Sequence, residues 1–147
     1  MAKKKVQKIP EPYLLPTSLK LIRFSFKHLD AANEKFSCAN CSQEYFVKLL
    51  ETLQKYTWTV EQFSDQNHNE RRHVIYFPNT SEPDGFENIP GIDLDQLGYY
   101  EGWEIGISID PYDCGWRVHG ILIDEIFFVI WLDPNHALFP APAPMGV

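Results

Sequence analysis

The amino-acid sequence predicts a single α+β domain: an antiparallel sheet with two helices from the N-terminal half of the chain packed on one face. Three observations lead to this. The 147 residues match the usual size of one domain. Residues 42–64 carry helix signals, and the last third of the chain alternates apolar and polar residues as strands do. The predicted order is strand, helix, helix and then four strands, of which the last two form the core hairpin.

The first strand and the two helices are predicted from spacing and capping residues. Residues 19–28 alternate, with Ile22, Phe24 and Phe26 on one face, as in a half-buried strand. Residues 42–56 place apolar side chains at helical spacing behind a Ser42 N-cap, namely Phe46, Leu49, Leu50, Leu53 and Tyr56. The run Thr59-Val60-Glu61-Gln62 fits a capping box and predicts a second, short helix.

Four segments predict the remaining strands. They are residues 73–77, 103–109, 116–123 and 126–132. In the segment 103–109, Trp103, Ile105 and Ile107 alternate with polar or small residues, so one face of this strand is expected to be exposed to solvent. A tight turn at 124–125 would set the hairpin register and place Arg117 opposite Leu132.

Composition divides the chain into an arm, a domain and a tail. Lysines and prolines crowd residues 1–16, which predicts a flexible basic arm. The domain is expected at 17–139, followed by a flexible Pro-rich tail at 140–147. Inside the domain, residues 79–98 form a long acidic connector, and a connector of this length is typically functional or mobile. Its carboxylates suggest either a cation site or charges that keep the loop solvated.

Charge and cysteine content indicate a cytoplasmic protein without a membrane span. The longest apolar run, 126–132, is too short to cross a bilayer, and three cysteines do not make a disulfide framework. Net charge is −7, but residues 1–30 hold seven Lys/Arg against two acids, whereas residues 31–147 hold six against eighteen. Such an acidic body repels nucleic acid at long range and suits a basic protein partner.

The main candidate site combines Arg117, His119 and His136 as catalytic residues. Arg117 and His119 are two apart on one strand and therefore share a face. Arginine offers a fixed positive fork for a phosphate, and histidine moves protons near neutral pH. Together they would let an RNA 2′-hydroxyl attack its own phosphate without a metal. The alternative is an Arg117–Asp133 salt bridge beside a hydrogen-bonded histidine.

Two further clusters are candidates for binding. Arg71, Arg72 and His73 form the basic cluster of the acidic body, and would contact phosphate or else lie in a solvated turn. Cys38 and Cys41 form a lone CxxC, which suggests the start of a zinc site or a redox pair, and the helix that follows would lower a thiolate pKa. The alternative is two ordinary cysteines in a loop. The Gly-rich loops and catalytic motifs of common cofactor and metal enzymes are missing, so we expect no cofactor and no metal.

The element order resembles that of the RelE/ParE-like toxin superfamily. The resemblance lies in 103–139, especially Trp116-Arg117-Val118-His119-Gly120 and Phe128-Val129-Ile130-Trp131-Leu132. It implies two N-terminal helices on an antiparallel sheet, RNA cleavage by residues on the sheet face, and a partner antitoxin. By position, Arg117 would be the phosphate-binding arginine, and His119 or His136 the proton-transfer group.

Two functions are therefore expected. The first is a toxin-like, metal-independent ribonuclease of a toxin–antitoxin or defence system, with RNA and a cognate antitoxin as partners. The alternative is a non-catalytic interaction module whose acidic body binds a basic protein. The acidic charge and the long connector 79–98 depart from the nuclease members of the superfamily, and fold alone does not decide activity.

Overall fold

The computed structural model describes residues 16–65, 72–87, 89–93, 95, 100–107 and 115–140. The predicted arm at 1–16 and the tail at 140–147 lie almost wholly outside these residues. Seven elements follow the predicted order. They are β1 (Arg23–Ser25), α1 (Gln43–Gln54), α2 (Val60–Ser64), β2 (Arg72–Val74), β3 (Gly102–Gly106), β4 (Arg117–Ile123) and β5 (Ile126–Asp133).

The strands form one sheet in the order β1-β5-β4-β3-β2, with the predicted β4–β5 hairpin at its centre. All neighbours are antiparallel except β1, which runs parallel to β5 with Phe24 beside Phe127. The sheet is therefore mostly antiparallel. A parallel partner requires a long crossover, and here the whole chain between β1 and β5 supplies it.

Both helices begin where the capping residues predict. The Ser42 hydroxyl accepts a hydrogen bond from the Tyr45 amide, and α1 begins at the next residue. Thr59 and Gln62 form the reciprocal capping box that opens α2. The buried stripe of α1 differs from prediction, because Leu50 is 53% exposed while Tyr45 is fully buried.

The first face of the sheet carries the main core. Side chains of α1 and α2 pack there against alternate residues of the strands, including Leu49, Phe63, Trp103, Val118 and Phe127. Tyr45 anchors α1 to the sheet, because its hydroxyl donates to the carbonyl oxygen of Arg117 at 2.7 Å. The helices therefore hold β4 from the face opposite the candidate site.

The alternation in β3 predicts that the second face of the sheet is exposed to solvent, but this face is covered. Every residue of β3 is buried. Segments that lie between and after the strands cover this face. A second core forms there from residues that include Phe36, Phe86, Ile89, Trp131 and Leu138. The described part of the acidic connector is thus a packed cover, since its apolar residues pack inward while its acids face solvent. His28 fixes it further, as its Nδ1 donates to the carbonyl oxygen of Pro90 at 2.5 Å.

A β-bulge in β5 changes the predicted hairpin register. Ile123 pairs with Ile126 next to the turn, and Gly120 pairs with Val129, but His119 pairs with Trp131. One extra residue in β5 therefore opposes β4 at this level. As a result Arg117 lies opposite Asp133 rather than Leu132. The bulge also turns both Ile130 and Trp131 toward the second core.

Candidate functional site

A row of side chains crosses the second face of the sheet at one level. The register places His73 beside Glu104, Glu104 beside His119, and His119 beside Trp131. Directly opposed residues on neighbouring strands share a face and contact each other. Because the packed cover lies over this face, the row is largely removed from water.

Glu104 is the centre of the row. It is only 3% exposed. Its Oε2 accepts a hydrogen bond from His119 Nε2 at 2.9 Å, and its Oε1 lies 3.3 Å from Arg117 Nε and 3.8 Å from His73 Nε2. Burial alone would raise the pKa of Glu104. The hydrogen bond from His119 and the positive charges of His119, His73 and Arg117 outweigh burial, so this pKa lies below its ordinary value.

Asp133 is a second buried carboxylate beside the row. One of its oxygens accepts from the Ala137 amide at 2.7 Å, and the other accepts from the Leu138 amide at 3.1 Å. The second oxygen also lies 3.8 Å from His119 Nε2. Asp133 therefore fixes the turn that follows β5, and that turn carries His136.

The same turn sets the orientation of the His136 ring. His136 adopts a φ of 53°, in the left-handed region that few residues favour. Its Nδ1 lies 2.5 Å from the carbonyl oxygen of Phe139. A carbonyl only accepts, so Nδ1 carries the hydrogen and Nε2 is the nitrogen with a lone pair when the ring is neutral. This arrangement suits a proton acceptor.

An open groove of about 730 Å³ lies where the turn meets the first residue of β4. Gly115, Ala137 and Pro140 contribute to its wall, and its polar lining consists of Lys35, Ser81, Arg117, Asn135 and His136. Three hydrogen-bonded segments build it. Ser81 donates to the Ala137 carbonyl at 2.6 Å, and Lys35 donates to Ser81 at 2.8 Å.

The groove brings together two of the three predicted catalytic residues. Arg117 and His136 both line it. His119 does not, because its side chain is 0% exposed and lies within the second core beside Phe36 and Trp131. Its Nδ1 is likewise buried and finds no hydrogen-bond partner among the described residues. His119 therefore does not meet a substrate directly, which corrects its predicted place at the exposed sheet face.

The alternative arrangement predicted around Arg117 is realised with a different acid. The ion pair described above joins Arg117 to Glu104. The histidine of that alternative, His119, is indeed hydrogen-bonded in the sheet. A buried pair of this kind favours one angle of the guanidinium, because another angle would remove the contact of Nε with Oε1 of Glu104.

The predicted basic cluster does not form one surface. Arg72 is 4% exposed, and its guanidinium donates to the carbonyl oxygens of Phe63, Gln62 and Asp65 at 2.7 to 3.0 Å. The prediction that Arg72 contacts phosphate is therefore wrong, because this side chain caps the end of α2 and packs on Trp58. His73 is exposed beside Glu104, and Arg71 lies outside the described residues.

Cys41 does not have the lowered thiolate pKa considered for a redox or zinc role of this cysteine pair. Burial, together with the charges of Cys38 and Asp133, raises the pKa of Cys41 to about 11. Both thiols are free. Within the described ranges, no group of three or more His, Cys, Asp or Glu residues is arranged to hold a metal ion.

Sequence reasoning missed Glu104, Lys35 and Ser81. The alternation of residues 103–107 predicts that Glu104 lies on a solvated strand face. The signal that would have found it is the strand itself, where a single acid stands between Trp103 and Ile105. Lys35 and Ser81 lie in irregular segments far apart in sequence, so no local pattern unites them.

Comparison with known proteins identifies no relative of this chain. No protein-family model matches the chain, and neither a curated protein nor a solved structure is significantly similar to it. The helices in the described part of the chain are all too short or too polar to cross a membrane.

Proposed function

We propose that this protein is a toxin-like, metal-independent ribonuclease that cuts RNA in the groove at the start of β4. One observation carries the proposal: Arg117 and His136 line the same groove. Arg117 pairs with the buried Glu104 carboxylate, and His136 lies on a turn whose backbone amides donate to the buried Asp133 carboxylate. Preorganised charge and a fixed proton acceptor are what phosphodiester transfer requires of a protein.

Charge distribution supports an anionic ligand at this place. Residues 31–147 contain only six Lys/Arg, and two of them, Lys35 and Arg117, line the groove. The remaining surface is rich in acids. In the proposal these two cations, which lie beside the carboxylates of Glu82 and Glu104, are the donors that a phosphate meets on an otherwise acidic body.

The chemistry follows from the roles of the two residues. His136 Nε2 accepts the proton of an RNA 2′-hydroxyl, and the 2′-oxygen attacks the adjacent phosphorus. Arg117 stabilises the negative charge that builds on the phosphoryl oxygens. The bond from phosphorus to the 5′-oxygen breaks, and that oxygen takes a proton from water. The products are a 2′,3′-cyclic phosphate and a 5′-hydroxyl end, and none of the proposed steps uses a metal ion.

Buried residues position this pair in the proposal. Glu104 holds Arg117, while His119 holds Glu104 from behind. Asp133 holds the turn that presents His136. A cognate antitoxin that covers the groove would restrain the enzyme, as the resemblance to RelE/ParE-like toxins implies.

Induced expression in a bacterial host tests the proposal. Growth and RNA integrity are followed for the wild type, Arg117→Lys and His136→Asn. Asparagine tolerates the positive φ of position 136, so the turn is retained. Arg23→Ala is the matched control, since Arg23 is an exposed arginine in a pair with Glu125 and does not line the groove. Growth arrest with RNA loss, relieved only by the two groove variants, supports the enzyme. Normal growth with intact RNA and folded protein contradicts it.

A second candidate function rests on a separate observation. Four carboxylates of the connector are exposed on the cover of the second face: Asp84, Glu87, Asp93 and Asp95. They would bind a basic protein chain by charge, without catalysis. Titration with polylysine tests this candidate. Binding that weakens steeply with salt, and is lost when the four acids are changed to amides, favours it. Equal binding by the amide variant rejects it.

A further inference from the structure

We propose that Lys35 binds a second phosphate of the RNA, next to the phosphate held by Arg117. The groove then takes a short stretch of single-stranded RNA by two consecutive phosphates. This inference rests on the proposed function, because it uses the same groove.

The backbone around Lys35 is fixed. The amides of Lys35 and Phe36 both donate to the Asn33 side chain, at 3.0 and 3.1 Å. The Asn40 side chain donates to the Lys35 carbonyl at 3.1 Å. Phe36 is buried and stacks on Trp131 with ring centroids 4.5 Å apart. The lysine therefore extends from a rigid base and lines the groove.

The present partners of the Lys35 ammonium are exchangeable. Nζ donates to Ser81 Oγ at 2.8 Å and to Glu82 Oε1 at 3.0 Å. The side chains of Lys35 and Glu82 are 38% and 36% exposed. An ion pair this exposed contributes little stability, so a phosphate oxygen readily replaces Glu82 as the acceptor. Ser81 would remain beside the lysine.

Dimensions and contacts favour a single strand. The groove volume of about 730 Å³ falls within the range of small-ligand sites, so in the proposal it takes a short stretch of single strand. Lysine and arginine contacts to phosphate position the strand without reading bases. We therefore expect weak sequence preference in binding.

Salt dependence of binding tests the inference. The probe is a fluorescent 2′-O-methyl decanucleotide, which has no 2′-hydroxyl to react, and the readout is anisotropy between about 50 and 200 mM salt. Each phosphate contact to a single strand contributes about 0.7 to the slope of log affinity against log salt. The wild type is expected to show a slope of about −1.4 or steeper, and Lys35→Ala a slope shallower by about 0.7.

Two further variants make the test specific. Lys48→Ala is the matched control, because Lys48 also pairs with an exposed acid, Glu51, but lies on α1 outside the groove lining. It should leave the slope unchanged. Glu82→Gln removes the competing acceptor and should strengthen binding several-fold without removing Lys35. A slope that Lys35→Ala leaves unchanged, equal losses in the Lys35 and Lys48 variants, or no binding of the decanucleotide overturns the inference.

The test separates this inference from the proposed ribonuclease. Binding with the expected Lys35 dependence supports the inference even if unmodified RNA is never cut, in which case the ribonuclease fails. Cleavage of unmodified RNA without any Lys35 contribution to the salt slope overturns the inference and leaves the ribonuclease standing.

Discussion

The Nε atom of Arg117 lies 3.3 Å from Oε1 of Glu104, a carboxylate whose side chain is only 4% exposed. Arg117 therefore extends from a buried ion pair to the wall of an open groove. The other carboxylate oxygen of Glu104 is held by His119. Arg117 Nη1 also donates to the carbonyl oxygen of Trp116 at 3.0 Å, so the guanidinium is held in one orientation and loses little conformational freedom on binding.

The stability of the protein should depend on pH through Glu104. Its pKa in the folded protein lies below the ordinary value of 4.5, so it stabilises the fold fully above that pH. This contribution is lost as pH falls below 4.5 and through the folded-state pKa. We expect the free energy of unfolding, measured by urea denaturation, to decline over that window. The decline should be smaller in Glu104→Gln, while Glu51→Gln, an exposed control, should follow the wild type.

Arg72 should prove structural rather than functional. Its guanidinium donates to three carbonyl oxygens and lies 4.1 Å from the centre of the Trp58 ring. Arg72→Ala is expected to lower the free energy of unfolding by about 3 kcal/mol, because it leaves buried acceptors without donors. Arg23→Ala, which removes an exposed ion pair, should lower the free energy of unfolding far less. Equal losses in the two variants, measured by denaturant unfolding, contradict this assignment.

Tyr45 should couple α1 to the strand that carries the site. Tyr45→Phe removes only the hydroxyl that donates to Arg117 O, so a loss of about 1 kcal/mol is expected. Chemical denaturation measures it, with Tyr76→Phe as the control because Tyr76 is 66% exposed. A change within error for both variants would show that this bond does not stabilise the fold.

Cys41 should react slowly with alkylating reagents. With a pKa of about 11 against an ordinary 9.0, its thiolate fraction at pH 8 is about a hundredfold lower than that of an unperturbed thiol. Iodoacetamide labelling followed by peptide mass mapping should show this difference against a short model peptide. Labelling of Cys41 at the rate of the peptide would mean that burial does not control the thiol.

Local signals predicted much of the fold, and long-range packing accounts for what they missed. The Ser42 cap, the Thr59 capping box and the hairpin at Asp124 act within a few residues, so they are readable from sequence. The bulge at Ile130 cannot be read from the sequence, because it depends on how two strands fit the second core. The parallel pairing of a three-residue β1 is likewise decided by distant chain.

The site was half predictable for the same reason. Arg117 and His136 stand out as residue types, and the groove brings them together. Glu104 looked solvated because the second face of the sheet is covered by irregular segments, and their apolar residues, such as Phe36 and Phe86, follow no periodic pattern. Arg72 looked like a phosphate ligand because its carbonyl partners are invisible in sequence.

Cleavage of RNA by the purified protein in the presence of a chelator tests the central claim most directly. The substrate is an end-labelled single strand, beside a version with deoxyribose at the cut site. We predict cleavage of the first to a 2′,3′-cyclic phosphate, no cleavage of the second, and rates lower by about a hundredfold or more in folded Arg117→Lys and His136→Asn. Intact RNA with folded wild-type protein, or full activity in both variants, would contradict the account.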